Sequence, residues 1–359
     1  MVYKKIQLSF KIKKSVLAFG SQTKNTVCFA SGKAAYVSHV HLDLTDPNDL
    51  ASFEKDIRFF LKKKPNVIAY DLHPEYQSTK SALRLTPNTY RFIPVQHHHA
   101  HIASCMAENG LKNQKVIGVA FDGTGLGADN HIWGAEFLIC DYRSFKRAGH
   151  LKEIPLLGGE RAILEPWRLS AFWLDGKLQG IDKKKWVLLK KIRDKGINSP
   201  LASSMGRFFD AAASLILGKK RARFEAELAI ALEKIAVHPK TKVQGYKFKI
   251  LKDNAGYIID PVEVFKGITR DLKSGRPKGE ISFRFHLSVA EMISRMSLAL
   301  RRDTGISKVA LSGGVFQNSL LLRLSLGLLY EEGFAVLLHK NLNANDSGLS
   351  LGQAIIAGS

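Results

Sequence analysis

Apolar residues in this chain fall into two kinds of run: short blocks closed by glycine or polar clusters, and longer stretches with helical spacing. Near the start, "SVLAFG" is an apolar block ending at Gly20, polar "SQTKN" follows, "TVCFA" is apolar again, and "SGK" reads as a turn before "AAYVSHV". That order predicts strand, loop, strand, turn, strand. After Asp46-Pro47, "NDLASFEKDIRFFLKKK" places Leu50, Phe53, Ile57, Phe60 and Leu61 at helical spacing behind an Asn or Asp cap. "NVIAYDLHP" then reads as a short buried strand with a polar tip at Asp71 and His73. A similar opening recurs at residue 116, where "VIGVAFDGTGLGADNHIWGAEFLIC" predicts a strand, a glycine-rich loop and a second strand. The two openings share no residue-level repeat. They predict two related α/β lobes, each starting with a hairpin whose loop faces a central cleft.

Residues 162–240 and 285–305 read as mainly helical. "KVALSGGVFQNSLLLRLSLGLLYEEGFAVLLHK" predicts strand, glycine turn, helix, strand, and "NDSGLSLGQAIIAGS" a final small-residue helix. The resulting division is a basic N-terminal extension (1–14), a first α/β lobe (15–108) and a second α/β lobe (109–359). The second lobe carries a helical insertion over residues 160–240, and the C-terminal helix is expected to return to the first lobe.

Composition narrows the setting. With 359 residues, 45% apolar and 24% charged, the chain buries a substantial core and fits a globular protein. Three cysteines, Cys28, Cys105 and Cys140, form no C-x-x-C pair, which argues against a disulfide framework or a cysteine zinc finger and for a reducing compartment. The N-terminus lacks an uninterrupted apolar core, and "SLLLRLSLGLLY" is broken by Arg323 and then "EEG". A cytoplasmic protein with no membrane partner is expected. The net charge of +22 favours polyanions, nucleotides or acidic protein surfaces, although solvated basic surface is the simpler reading. Nucleic acid is the less favoured partner, since no aromatic-interleaved RNA motif appears.

Candidate chemistry concentrates in a few segments. "QHHHAH" holds His97, His98, His99 and His101; on a helix His97 and His101 share a face and would grip one ion together. A satisfied, non-ligand histidine cluster stands level with that reading. "DGTGLG" (Asp122–Gly127) offers Gly123, Thr124 and Gly125 for close approach of a phosphate and Asp122 for a cation, or simply a tight hairpin. "LSGGVFQN" sets Gly313, Gly314 and Asn318 between a strand and a helix, where amide donors meet a nucleotide or glycines allow close packing. "SSMGRFFDAAASL" adds Gly206, Arg207 and Asp210, and Asp346 in "NANDSGLSLGQA" by itself reads as a helix N-cap. No G-x-S-x-G elbow is present.

In order, "FGSQTKNTVCFA", "AYDLHPEYQST", "VQHHHAHIASCMAENGL", "VAFDGTGLGADNHIWGAEFL", "SSMGRFFDAAASL", "FRFHLSV", "LSGGVFQNSLLL" and "NANDSGLSLGQA" resemble the C-terminal, Kae-like catalytic region of the HypF-type carbamoyltransferases of nickel–iron hydrogenase maturation. The resemblance implies a two-lobed actin- and sugar-kinase-like fold with ribonuclease-H-like lobes around a cleft. It implies that His97, His101 and Asp346, with Asp122 as an additional ligand, bind iron or zinc. Asp122 and His97 and His101 become the catalytic set, with His98 and His99 as substrate contacts or supporting residues. Asp122, Gly123, Thr124, Gly125, Gly206, Asp210, Gly313, Gly314 and Asn318 would hold ATP (with magnesium) or carbamoyl adenylate. The implied reaction transfers a carbamoyl group from the adenylate to the C-terminal cysteine of a HypE-type partner.

The chain departs from that pattern. The acylphosphatase-like, zinc-finger and adenylate-forming regions of complete members have no counterpart here, so a separate adenylate-forming protein is expected as a partner. "WGAEF" has Ala135 and "FEAELA" has Ala226 and Glu227 where the family usually carries glycine, glycine and glutamine. Two alternatives follow: a transferase acting on tRNA or a small-molecule hydroxyl, and a non-catalytic nucleotide-binding assembly protein.

Overall fold

The computed structural model describes residues 3–86, 89–178, 180–239 and 243–359. Residues 1–2 of the expected extension, and residues 179 and 240 of the expected helical insertion, lie outside the described residues.

The first lobe is built on a four-stranded sheet in the order Cys28–Val37, Lys4–Ala18, Val67–Asp71, Arg91–Val95. Its first pair is antiparallel and the other two pairs are parallel. Residues 4–14 are therefore not a basic extension. Ile6, Leu8 and Ile12 turn inward to burial while Gln7, Ser9 and Lys11 point outward, the period of a one-faced strand. "SGK" is not a turn either: Cys28–Val37 runs through it, and Gly32, at φ +59°, absorbs the register slip opposite Ile12.

The second sheet runs Lys249–Lys252, Tyr257–Asp260, Phe145–Leu151, Ile132–Cys140, Val116–Leu126, Lys308–Ser312, Ala335–Leu337. The hairpin strands Val116–Leu126 and Ile132–Cys140 extend further than the sequence suggests. "DGTGLG" is not a free loop: the strand continues to Leu126, with a bulge between Phe121 and Gly125. Residues 162–240 are helical but interrupted by the strand Leu201–Ser204, which lies parallel to Ile132–Cys140.

Two helices fill the space between the sheets. All of His97–Glu108 is buried, and the C-terminal helix Leu349–Gly358 packs on it and on the first sheet. At Gly352 an added Cβ would fall 1.8 Å from the Ala100 carbonyl oxygen, so the helix backbones touch there and only glycine fits. One apolar cluster joins the lobes across these helices, from Val16, Ala69 and Val95 through Ile102, Met106 and Ile355 to Val116 and Ala310. The histidine helix is thus held rigidly between both sheets. Among the described residues, no helix is long and apolar enough to cross a membrane.

Candidate metal centre and interlobe cleft

The helix His97–Glu108 begins at Gln96, whose side chain accepts a hydrogen bond from the His99 amide at 2.9 Å. That cap fixes the first turn and brings His97 and His101 onto one face, with ring centroids 5.0 Å apart. Two carboxylates from separate elements complete the cluster. Asp122 leaves the bulge of its strand, with His101 Nε2 2.9 Å and His97 Nε2 3.7 Å from its Oδ2. Asp346 approaches from the start of the C-terminal helix, its Oδ1 3.5 Å from His101 Nε2 and 3.7 Å from His97 Nε2. The helix cap itself is Asn345, which accepts from the Ser347 amide at 3.0 Å. Asp346 is consequently not the N-cap that its local sequence suggests, and its carboxylate is left to face the imidazoles.

Donor atoms of His97, His101, Asp122 and Asp346 all lie within 4.8 Å of one another. His97 Nε2, His101 Nε2 and Asp122 Oδ2 are buried and have no hydrogen-bond partner among the described residues. Such atoms are costly to bury unless something occupies the space between them. The donor set, two imidazoles and two carboxylates, suits zinc or ferrous iron. These residues fit a resident divalent metal.

The surroundings orient this set. Asp71, at the tip of its strand and fully buried, holds His97 Nδ1 at 2.8 Å. This is the carboxylate–imidazole pairing that fixes tautomer and ring direction in metal sites. On the far side, Ser312 Oγ lies 3.5 Å from His101 Nδ1 and 2.8 Å from His339 Nε2, and Glu108 accepts from His339 Nδ1 at 2.6 Å. Glu108 also accepts from the amides of Asn341 and Leu342, tying the segment that leads to Asp346 onto the end of the histidine helix. Burial alone would lower the His97 pKa, but Asp71, then Asp122 and Asp346, hold it well above the ordinary histidine value. His101 is raised in the same way: burial opposes the shift, and Asp122 and Asp346 outweigh it. Burial would lift Asp122, yet the two imidazoles keep its carboxyl well below the usual range.

The neighbouring histidines part company. His98 is buried against Gly125, where an added Cβ would fall 2.5 Å from its Cε1, and burial followed by the nearby His97 pushes its pKa well down. Its Nε2 has no hydrogen-bond partner. His99 turns away: its Nε2 lies 2.6 Å from the Asp141 carbonyl oxygen and its ring packs on Phe145. A substrate contact for His99 is contradicted by this placement, because it faces the turn after Cys140 rather than the cleft.

Glycines shape the cleft wall. A Cβ on Gly314 would stand 3.0 Å from Asp122 Oδ1, one on Gly206 would meet Gly123 Cα at 2.7 Å, and Gly313, at φ +104°, lies against the Phe121 carbonyl. Thr124 is half-buried beside them. Ser204 caps the helix Met205–Leu217, accepting from the Arg207 amide at 3.1 Å and donating to the Gly123 carbonyl at 2.5 Å. Inside this helix Asp210 faces Arg207 Nη2 at 3.0 Å; burial, with Glu225 adding to it and Arg207 opposing, pushes its pKa up to about 6. Asn318 is engaged elsewhere: its Oδ1 caps the helix Ser319–Glu331 at the Leu321 amide, and its Nδ2 donates to His286 Nε2 at 3.0 Å. Sequence reasoning marked Asp71 only as a polar strand tip and missed Glu108, Ser312 and His339. The first had a usable signal in its position at a strand end; the others are brought together only by the fold.

Comparisons with known proteins show which family the chain belongs to. Residues 11–108 match the model described as "HypF Kae1-like domain", and residues 118–353 match "Carbamoyltransferase, Kae1-like Domain, second subdomain". The chain belongs to the HypF carbamoyltransferase family. It is similar to carbamoyltransferase HypF2 of Cupriavidus necator (34% identity over 96% of this chain and 46% of that protein). A HypF homolog of the same organism is 33% identical over 95% of the chain and 91% of its own length. The chain spans about half the length of most curated HypF relatives it matches. Full-length HypF in a phosphate- and nucleotide-bound form superposes with a TM-score of 0.93 at 40% identity, covering 99% of this chain and 57% of that one. The T. kodakarensis HypF structure gives 0.87 at 30% identity, covering 99% and 48%. The two-lobed α/β architecture is therefore the HypF one.

Proposed function

We propose that this chain carries the carbamoyl-transfer site of a hydrogenase-maturation carbamoyltransferase. The reading is carried by one observation: four converging donors at the cleft floor, three of them buried and unpartnered, beside a wall of glycines. In this reading His97, His101, Asp122 and Asp346 hold iron or zinc. Bound there, the metal would supply positive charge to polarise the carbonyl of a carbamoyl mixed anhydride. Asp71 keeps His97 Nδ1 protonated so that Nε2 faces the cleft. The bulged strand at Gly123, Thr124 and Gly125, with Gly206, Gly313 and Gly314, leaves room for a nucleotide's phosphate and sugar. His98, neutral through burial, lines the site without adding charge. The acceptor is the C-terminal cysteine of a HypE-type partner: its thiolate sulfur bonds to the carbamoyl carbon, the carbon–oxygen bond to AMP breaks, and AMP leaves with the electron pair. Carbamoyl adenylate is the donor in this reading, and the chain works in the cytoplasm. The solved full-length HypF relative is phosphate- and nucleotide-bound, which supports nucleotide binding as part of this reading.

A second reading has its own support. Ala226, in the segment that departs from the family, is held at φ +63°, and the neighbouring Glu225 carboxylate lies against Gly123. The Glu225 contact with the glycine wall, next to the strained Ala226, favours an assembly protein that binds nucleotide without turnover. Supplying carbamoyl adenylate, metal and a peptide ending in cysteine, with tRNA as competing acceptor, separates the readings. Peptide S-carbamoylated at its C-terminal cysteine is expected. Modified tRNA in its place supports the tRNA-directed transferase, and nucleotide binding without any product supports the assembly role.

A further inference from the structure

A second cluster of metal-type donors lies in the first lobe, away from the cleft. His39 and His41 bracket Val40 just before and within the strand His41–Asp43, and Asp56 comes from the helix Pro47–Leu61. His41 and Asp56 are each 1% exposed, whereas the His39 side chain is 52% exposed. Asp56 Oδ2 lies 3.3 Å from His41 Nε2 and 3.4 Å from His39 Nδ1. Despite those distances, Asp56 Oδ2 and both ring nitrogens of His41 make no hydrogen bond among the described residues. A buried carboxylate oxygen and a buried imidazole nitrogen that approach without bonding are a rare and costly pair.

Their spacing has a simple explanation. Ligand bonds of about 2.0–2.1 Å in a tetrahedral arrangement put neighbouring donors about 3.3–3.4 Å apart. His39 and Asp56 each have their other polar atom held, as metal ligands usually do, while the second nitrogen of His41 is not. Ser52 Oγ lies 3.1 Å from His39 Nε2, leaving Nδ1 for the cation, and Tyr3 donates to Asp56 Oδ1 at 3.3 Å, leaving Oδ2. Phe53 walls one side with its ring edge-on to His41. A third donor cluster, Asp129, His131 and Glu153, lacks this character because the Arg147 guanidinium already pairs with both carboxylates.

We propose that His39, His41 and Asp56 form a second divalent-cation site, of zinc type, that clips the strand His41–Asp43 to the helix Pro47–Leu61. Two neutral imidazoles and one carboxylate are the ligands, and the solvent side at His39 leaves a fourth position for water or an exogenous donor. The site stands apart from the transfer chemistry and does not rest on it.

The test compares the wild-type chain with His39→Ala, His97→Ala and the double variant. Each is stripped with chelator, reloaded with zinc, passed through gel filtration and analysed for bound metal, with cobalt absorption titrations in parallel. His39 is exposed, so its replacement leaves the fold intact, which circular dichroism checks. His39→Ala is expected to retain one equivalent fewer than wild type, whatever His97→Ala does, and Asp56→Asn to repeat the loss. Equal zinc binding by wild type and His39→Ala overturns the proposal.

Discussion

Two carboxylates on the same hairpin, Glu136 buried and Asp122 partly so, have opposite surroundings. Glu136, fully buried, has both oxygens engaged: Ser203 Oγ donates to Oε1 at 2.6 Å, Arg147 Nε to Oε2 at 2.6 Å, and the amides of Gly134 and Ala135 add weaker bonds. Arg147 is itself stacked 4.3 Å over Trp133 and paired with Asp129 and Glu153. Asp122, on the partner strand, uses Oδ1 for its neighbouring amide and presents Oδ2 to two imidazoles without one hydrogen bond. A charge with every lone pair answered by protein holds a fold together. One with a lone pair left open, among others likewise open, marks where a ligand goes. The open donors are visible in the geometry alone.

The contrast breaks most sharply in transfer activity. His101→Ala removes a donor from the open set and is expected to reduce carbamoyl transfer by about a thousandfold, the several kcal/mol a metal contributes to such a reaction, with the thermal midpoint of the metal-free chain nearly unchanged. Glu136→Ala should do the reverse, costing about 1–3 kcal/mol of stability in denaturant titrations by removing the buried acceptor of Ser203 Oγ and Arg147 Nε, while metal stoichiometry at the cleft is kept. Asp71→Asn lies between them: it leaves every ligand in place but loosens His97, and metal affinity measured by competition with a chromophoric chelator should fall about 10–100-fold. Ala226→Gly gives the smallest effect, a gain of about 0.5–1 kcal/mol from relieving a left-handed residue, read as a shift in the denaturation midpoint. A matching gain in nucleotide affinity would argue that this segment shapes the nucleotide wall.

Much of this was legible in the residues. The helix carrying His97 and His101, the two hairpin openings and the late Asp346 follow from spacing and from resemblance. What escaped did so for physical reasons. Residues 4–14 looked like a charged extension because lysines outnumber the apolar residues there, although Ile6, Leu8 and Ile12 keep a strand's alternation. "SGK" and "DGTGLG" looked like loops because glycine signals a turn and a β-bulge alike, and only the partner strand distinguishes them. His99 was grouped with its neighbours, yet on a helix it points to the Asp141 carbonyl. The chain of Ser312, His339 and Glu108 joins segments far apart in sequence, which no local pattern reveals.

The central claim is that the unpartnered donors of the cleft are metal ligands. Anomalous difference density from zinc-loaded crystals, recorded on either side of the zinc absorption edge, tests it most directly. The account predicts a peak within bonding distance of His97 Nε2 and His101 Nε2, lying between Asp122 and Asp346. A loaded crystal with no peak there, and with its zinc elsewhere, would contradict it.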